Sequence, residues 1–283
     1  MTDFSSASLR RLDDFAAIAV TGPDAKSFLQ GQLSFDLDHL TPARAELASC
    51  SSAQGRVQAV SWLIERSDAL LLVLPTSVAE ATSIRLRKYV LRAKAKLEIA
   101  ARFSIFAARG LPALGESRTH IEAFDRSYVQ WPGGERVLCV APWESGEPDA
   151  NASLEWHRAD VAAGLPQVFP ETIESFVAQM LNLDLLGGIS FEKGCYTGQE
   201  IIARMHFRGA AKRRMFRFRT DAAPPAPGTR VVVDGQHAGD VADAVASEDG
   251  SELLAVISLS HADSALQLES VAPLVKLPLP YHV

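Results

Sequence analysis

Three short apolar runs between residues 45 and 74 limit the fold most, because tight connections join each run to the next. The runs are AELASCSS, RVQAVSWLIE and ALLLVL, and the connections contain Gln54-Gly55 and Ser67-Asp68. Runs of this length between turn residues predict β-strands. A helical spacing follows over Thr76–Tyr89, and VLRAKAKLEIA then alternates as a half-buried strand does. Residues 45–100 are therefore predicted to form an inserted α+β subdomain of the ferredoxin-like kind.

The flanking segments predict two further units in an α+β chain. DFAAIAV is predicted to be a first strand, and a split domain would combine residues 1–44 with residues 101–210. From residue 211 onward the pattern is all β: KRRMFRFRT alternates, and Asp234-Gly235 is a strong signal for a two-residue hairpin. Residues 211–283 are accordingly predicted to form a C-terminal β-barrel.

Charge and hydropathy narrow the classes of partner. The formal net charge is -6 and the pI is about 5.7, which argues against broad non-specific binding of nucleic acid but allows a local basic patch. The N-terminal residues lack the apolar core of a signal peptide, and the run ALLLVL is too short to cross a bilayer. We therefore expect a cytoplasmic protein without a membrane partner.

The 3 cysteines of the chain, Cys50, Cys139 and Cys195, form no C-x-x-C pair, so no metal site is predicted. An odd number in a reducing compartment indicates free thiols. Cys139 in RVLCVA and Cys50 in LASCSS are predicted to be buried structural residues. One thiol cannot hold an iron–sulfur cluster, so any such cluster would be held only transiently or with a partner's ligands.

Cys195 differs from the other two because polar residues and two glycines surround it in FEKGCYTGQEIIARM. Gly194 and Gly198 would allow positive φ angles or a close approach to a ligand. Lys193 and a helix starting after the turn would both favour the thiolate. Two interpretations stay open: a reactive thiol, or a small buried residue in a glycine-rich turn. His206 is a candidate partner by its place in the sequence only, and a surface or packing role is its alternative.

The segment FVAQMLNLDLLGGISFEKGCYTGQEIIARMHFRGAAKRR resembles the motif region of the YgfZ family, which includes the mitochondrial assembly factor for 4Fe–4S proteins. The family motif K-G-C-Y-x-G-Q-E is matched by residues 193–200, and GPDAKSFLQGQLSFDL and residues 54–56 are similar to two further landmarks. The resemblance implies the fold of the aminomethyltransferase, or T-protein, of the glycine cleavage system. That fold is a ring of three domains with a folate site in its central channel.

The same resemblance implies a function and a set of residues. The chain would bind tetrahydrofolate and support the assembly or repair of iron–sulfur client proteins, including enzymes that modify tRNA. Activity would depend on Cys195, helped by Lys193. The turn around the thiol would be shaped by Gly194, Tyr196, Gly198, Gln199 and Glu200. The residues implied to contact folate are Gln179, Asn182, Asp160 and Tyr196.

Two departures from the T-protein pattern favour an accessory factor over an enzyme. An acidic pair of the T-protein aligns approximately with Ala59 and Val60, and the glutamate that holds its pterin aligns with Ala162. These side chains cannot accept the N–H groups of a pterin or tune the protonation of a nitrogen. Asp160 is the expected substitute acceptor. A folate-dependent aminomethyl transferase remains the alternative function.

A tRNA-binding module is a further alternative, because two stretches are rich in Lys and Arg. They span residues 85–96 and residues 212–219. Such stretches bind phosphates, as in tRNA, or the carboxylates of a polyglutamyl folate tail. They are also typical of a solvated strand or helix face.

Overall fold

Three antiparallel β-sheets and four α-helices make up the part of the chain that the computed structural model describes. This part comprises residue 4 and residues 7–142, 147–209, 211–270 and 272–283. The helices are α1 (Ala25–Gln30), α2 (Thr76–Arg87), α3 (Ala150–Ala162) and α4 (Gln199–Arg208). The strands are β1 (Ser8–Leu12), β2 (Phe15–Thr21), β3 (Glu46–Ser51), β4 (Val57–Glu65), β5 (Leu70–Pro75), β6 (Lys96–Ile99), β7 (Phe103–Arg109), β8 (His120–Ala123), β9 (Arg126–Trp131), β10 (Arg136–Pro142), β11 (Arg213–Thr220), β12 (Arg230–Val233), β13 (Gln236–Ser247), β14 (Gly250–Ser258), β15 (Gln267–Leu268) and β16 (Val275–Leu277).

The first sheet has the strand order β3-β4-β5-β2-β6. Strand β2 lies between β5 and β6, with Ile18 opposite both Leu72 and Ile99. Since β2 belongs to residues 1–44, the predicted insert of residues 45–100 does not form this sheet alone. Turn residues specify the pairing of neighbouring strands, but they do not identify a partner distant in the sequence. How the chain divides into domains remains a prediction.

The two faces of the first sheet belong to two different cores. One face packs with α1 and α2 in a core that includes Ile18, Leu29 and Leu86. The other face contributes Trp62 and Val73 to a larger core that is shared with the second sheet. Alternation along β4 separates the two sets because successive side chains of a strand point to opposite faces.

The second sheet has the order β1-β7-β10-β9-β8, and α3 contacts its β1 edge and the third sheet. A hairpin turns at Pro132-Gly133-Gly134, with Trp131 opposite Arg136. Three tryptophans meet in the core between the first and second sheets. The ring centroids of Trp131 lie 4.6 Å from Trp62 and 5.7 Å from Trp156.

The third sheet has the order β15-β12-β13-β14-β11-β16 and contains the predicted hairpin at Asp234-Gly235. Both turn residues have positive φ, 48° and 74°, as this kind of two-residue hairpin requires. A closed C-terminal barrel is not confirmed, because in the described part of the chain the end strands β15 and β16 do not pair with each other. No described helix has both the length and the hydropathy needed to span a membrane.

Candidate functional site

The turn of residues 193–198 is positioned by the start of α4. Gly198, which precedes α4, has a φ of 84°, and a Cβ atom there would lie 2.6 Å from the carbonyl oxygen of Ser52. Only glycine satisfies both conditions, because other residues rarely adopt this φ and have no room for a side chain here. Gly194 has neither constraint, since a Cβ atom at Gly194 would have no neighbour within 4 Å.

Hydrogen bonds close the turn and attach it to the residue that follows α1. The Gln199 side chain donates from Nε2 to the Lys193 carbonyl at 3.3 Å and accepts from the Tyr196 N–H at 3.4 Å. The Thr197 N–H donates to the carbonyl of Gly31, which follows α1, at 3.2 Å. Gln199 therefore spans the ends of the turn, and α1 holds its middle.

Lys193 is directed toward backbone carbonyls. Its Nζ donates to the carbonyl oxygens of Leu33 at 2.9 Å and Phe35 at 2.7 Å, and it lies 5.1 Å from the ring centroid of Tyr196. Burial lowers the pKa of Lys193 to about 8, while Asp36 and Asp38 act in the opposite direction. The ammonium group thus fixes the loop after α1, a role that sequence spacing alone did not indicate.

The Cys195 thiol is exposed, whereas Cys50 and Cys139 are buried as predicted. Burial raises the pKa of the Cys50 thiol. The exposure of Cys195 excludes the interpretation of a small buried residue. Glu200 is exposed in the first turn of α4, where a carboxylate complements the positive end of a helix.

His206 lies at the other end of α4 from the turn. Its ring stacks on Phe191 with a centroid distance of 3.8 Å, and it contacts Phe207 edge-on at 4.7 Å. The side chain is therefore part of an exposed aromatic group. This packing corresponds to the surface or packing role that was the alternative for His206.

Two of the residues implied to contact folate have an orphaned polar atom. The Tyr196 hydroxyl and the Gln179 Oε1 are buried without a hydrogen-bond partner in the described part of the chain. Burial raises the pKa of Tyr196 to about 12, so its hydroxyl remains a donor. The amide of Gln179 donates from Nε2 to the Ile202 carbonyl at 2.7 Å. The Tyr196 hydroxyl is thus an unpaired donor and Gln179 Oε1 an unpaired acceptor, and both residues lie beside α4.

Asn182 has a structural role instead. It has a φ of 58° at the end of a short 3₁₀ helix. Its Nδ2 donates to the Met215 carbonyl at 2.8 Å, and its Oδ1 accepts from the Met215 N–H at 3.4 Å. These two bonds join the segment before α4 to strand β11.

One oxygen of Asp160 is held by two neighbouring side chains. Its Oδ1 accepts from Trp131 Nε1 at 2.9 Å and from an Arg136 Nη at 2.9 Å. Burial raises the pKa of Asp160, and Arg136 opposes that shift. Oδ1 is therefore not free to accept a hydrogen bond from a pterin.

The space beside Asp160 is also too small for a pterin. Asp160, Val60 and Trp62 line a cavity of about 10 Å³. One water needs roughly this much room, and small-molecule sites usually measure about 300–1,000 Å³. Ala59 points to the opposite face of β4, into the core beneath α1 and α2. The interior as described does not fit a pterin at this position.

Three of the five cations in the basic stretch of residues 212–219 form ion pairs, including Arg213 with Asp240 at 3.6 Å. Arg214 pairs with Asp184 at 2.6 Å, and Arg217 pairs with Glu252 at 2.6 Å. In the other stretch, Arg85 donates to the Ser51 carbonyl at 2.6 Å. These contacts use side chains that a phosphate backbone would otherwise recruit.

No group of three or more His, Cys, Asp and Glu side chains among the described residues is placed to hold a metal ion.

No family model matches the chain. Three curated relatives, each named tRNA-modifying protein YgfZ, are similar over almost the whole chain. The relative from Edwardsiella ictaluri is 34% identical, with 97% of this chain and 92% of the relative covered. The relative from Klebsiella pneumoniae is 31% identical, with 98% and 93% covered, and the one from Escherichia coli O45:K1 is 29% identical, with 98% and 94% covered.

The fold is similar to that of a solved structure, the glycine cleavage system aminomethyltransferase T from Bartonella henselae. The TM-score is 0.75 at 15% sequence identity, and the match covers 96% of this chain and 85% of the solved chain. At this identity the likeness shows the fold alone. The expected aminomethyltransferase fold is therefore confirmed, with mixed helices and sheets.

Proposed function

Because the chain belongs to the YgfZ family, we propose that it supports the assembly or repair of iron–sulfur proteins, including enzymes that modify tRNA. The name of the relatives supports the link to tRNA modification. The match of residues 193–200 to the family motif supports the link to iron–sulfur proteins. The proposed partners are client proteins rather than a small substrate, so the chain acts as an accessory factor.

One observation carries this proposal: an exposed thiol in a turn that the rest of the fold holds in place. Cys195 faces solvent, while Gly198, Gln199 and Lys193 fix the backbone on both sides of it. A thiolate is a good ligand for iron, and the open space around Gly194 leaves room for a partner to approach.

Cys195 supplies one ligand, whereas a cluster of this kind usually has four. The remaining ligands would come from the client, so the contact with a cluster is transient. In this mechanism Lys193 is a positioning residue, because its ammonium group binds the Leu33 and Phe35 carbonyls.

Cells that lack the native protein provide the test. We expect Cys195→Ser to leave client 4Fe–4S enzymes inactive and thiomethylation of tRNA low, although the variant folds, because Cys195 is exposed. Glu192→Gln, a change of an exposed residue just before the motif, is the matched control and should restore both activities. Full restoration by Cys195→Ser, at equal protein level and equal thermal midpoint, would refute the role of the thiol.

Tetrahydrofolate binding is a separate proposal, and no step above depends on it. The orphaned Tyr196 hydroxyl and Gln179 Oε1 support a polar ligand behind α4. The cavity of about 10 Å³ beside Asp160 is too small for a pterin. A calorimetric titration with tetrahydrofolate under anaerobic, reducing conditions tests whether the chain binds it. Saturable binding would support a folate site at Tyr196 and Gln179, and no binding would leave Cys195 and protein partners as the basis of function.

The two alternative functions have weaker support in the site. A folate-dependent aminomethyl transferase would need an acidic side chain near the reacting nitrogen, and the expected positions hold Val60 and Ala162. A tRNA-binding module would need free cations, and Arg214 and Arg217 are paired with acids.

A further inference from the structure

A second cavity, of about 430 Å³, lies next to the small cavity beside Asp160. It is bordered by the bend between β1 and β2, by the start of α2, and by α3. Phe15 and Pro75 line both this cavity and the small one beside Asp160, so one layer of side chains separates the two. Its volume is within the usual range for a small-molecule site.

The walls of this cavity are mainly apolar. Phe15, Pro75 and Phe169 contribute two aromatic rings and a pyrrolidine ring. Such walls suit the flat or apolar body of a small ligand, since burial of apolar surface drives binding and the few polar groups orient the ligand.

Two carboxylates, Asp13 and Asp14, are among the polar groups that line the cavity. Asp14 accepts no side-chain hydrogen bond and forms no ion pair within the described residues, whereas Asp13 Oδ1 accepts from Ser153 Oγ at 3.1 Å. Asp14 is therefore the acceptor that a ligand can reach.

His157 on the cavity wall adds a positive charge, which the carboxylate of Asp243 behind it neutralises. His157 Nε2 lies 2.8 Å from Asp243 Oδ1, and Asp243 is almost fully buried. Asp243 Oδ2 has no hydrogen-bond partner in the described part of the chain. Three carboxylates against one imidazolium leave the cavity with an excess of negative charge.

The N-terminus of α2 supplies the opposite polarity at one edge of the cavity. The Thr76 N–H already donates to the Asp14 carbonyl at 2.9 Å, and the Thr76 hydroxyl donates to the Asp13 carbonyl at 2.8 Å. The remaining free N–H groups of this first turn would favour a carboxylate. An amino acid could bind Asp14 with its ammonium group and the start of α2 with its carboxylate. A simple amine could bind only Asp14.

We propose that this cavity binds a small organic cation, an ammonium group on an apolar or aromatic body. The ammonium group lies against the Asp14 carboxylate, and the body lies between Phe15 and Phe169. The site is separate from Cys195 and does not depend on the proposed iron–sulfur function.

The test is a titration of the full chain with phenethylamine, followed by calorimetry and by two-dimensional amide NMR. We expect saturable binding, with 2-phenylethanol, the neutral isostere, bound at least about tenfold more weakly, because a hydrogen bond to a charged group contributes that much. Asp14→Asn should weaken phenethylamine by a similar factor. Asp263→Asn, which changes an almost fully exposed carboxylate of another region, should not.

Asp14→Asn keeps the size of an exposed side chain, and far-UV circular dichroism and the thermal midpoint verify that it folds. Equal binding of the amine and the alcohol, unchanged affinity in Asp14→Asn, or no saturable binding of phenethylamine would each overturn the proposal. Phenylalanine identifies the source of the ammonium group: tighter binding than phenethylamine indicates an amino acid that also uses the start of α2, and weaker binding indicates an amine.

Discussion

Gly194 and Gly198 flank the same cysteine, but the backbone depends on only one of them. Gly198 combines a φ of 84° with contact to the backbone of Ser52 and Gly55. Gly194 has open space around it. The glycine before α4 therefore sets where the helix begins, and the glycine before the thiol leaves the thiol accessible.

This difference predicts opposite results for two alanine substitutions. Gly198→Ala should lower the free energy of unfolding by about 2 kcal/mol or more, because a left-handed residue with a Cβ atom costs about 1–2 kcal/mol before the clash with Ser52 is added. Gly194→Ala should change it by less than about 0.5 kcal/mol, as an unstrained surface change does. Urea unfolding of both variants measures the two values. Equal losses would show that the turn does not have this backbone.

At the scale of elements, an ion pair and a hydrogen bond from an arginine to a backbone carbonyl attach α3 to the third sheet. His157 Nε2 meets Asp243 Oδ1 at 2.8 Å, and Arg158 Nε donates to the Ala246 carbonyl at 2.5 Å. Asp243 raises the pKa of His157 to about 9 against the opposing effect of burial, which is the largest single influence on it. The imidazole therefore holds its proton more tightly in the folded chain than in the unfolded chain.

The stabilisation by His157 should consequently depend on pH. A raised pKa gives a contribution that is fully present below the ordinary value of about 6.5 and is lost as pH rises through about 9. The difference in unfolding free energy between the natural chain and His157→Gln should shrink by on the order of 2 kcal/mol between pH 6 and pH 9.5. Urea unfolding at several pH values measures that difference.

The matched control is His237→Gln. His237 also lies 2.9 Å from an aspartate, Asp240, but the two are on one strand and join no two elements. We expect this exposed pair to contribute less than about 1 kcal/mol at any pH in that window. A difference for His157→Gln that stays constant from pH 6 to pH 9.5 would contradict the charged pair.

At the scale of the whole molecule, Arg66 connects the first sheet to the second. Its side chain is only 1% exposed, and it reaches Asp68 in its own hairpin and Asp125 in the turn between β8 and β9. Arg66 Nη1 also donates to Ser127 Oγ at 3.1 Å. A guanidinium group with several donors suits such a junction, because one side chain can satisfy acceptors from two elements.

Substitution of Arg66 should lower the free energy of unfolding more than substitution of Arg102, which pairs with the same Asp68. Arg66→Met should lower the free energy of unfolding by about 2 kcal/mol, since the fully buried Ser127 hydroxyl and two carboxylates lose hydrogen bonds from a buried guanidinium group. Arg102→Met, which removes a 60% exposed partner of the same Asp68, should cost less than about 1 kcal/mol. Guanidinium unfolding followed by circular dichroism compares them. A loss for Arg66→Met no greater than that for Arg102→Met would mean that the junction does not stabilise the molecule.

The sequence by itself determined the local elements and the identity of the motif. Periodicity identified the strands of residues 45–74 and helix α2, and Asp234-Gly235 specified a hairpin. These features follow from the sequence because turn chemistry and side-chain alternation depend on a few adjacent residues. The match to the family motif over residues 193–200 is equally local.

Only the tertiary structure decided which distant groups meet. It placed β2 inside the first sheet, directed Lys193 at the carbonyls after α1, and exposed Cys195. It also brought Trp62, Trp131 and Trp156 together from three separate elements, which leaves the interior too small for a pterin beside Asp160. Contacts of this kind depend on how all the apolar faces pack at once, and no short stretch of sequence contains that information.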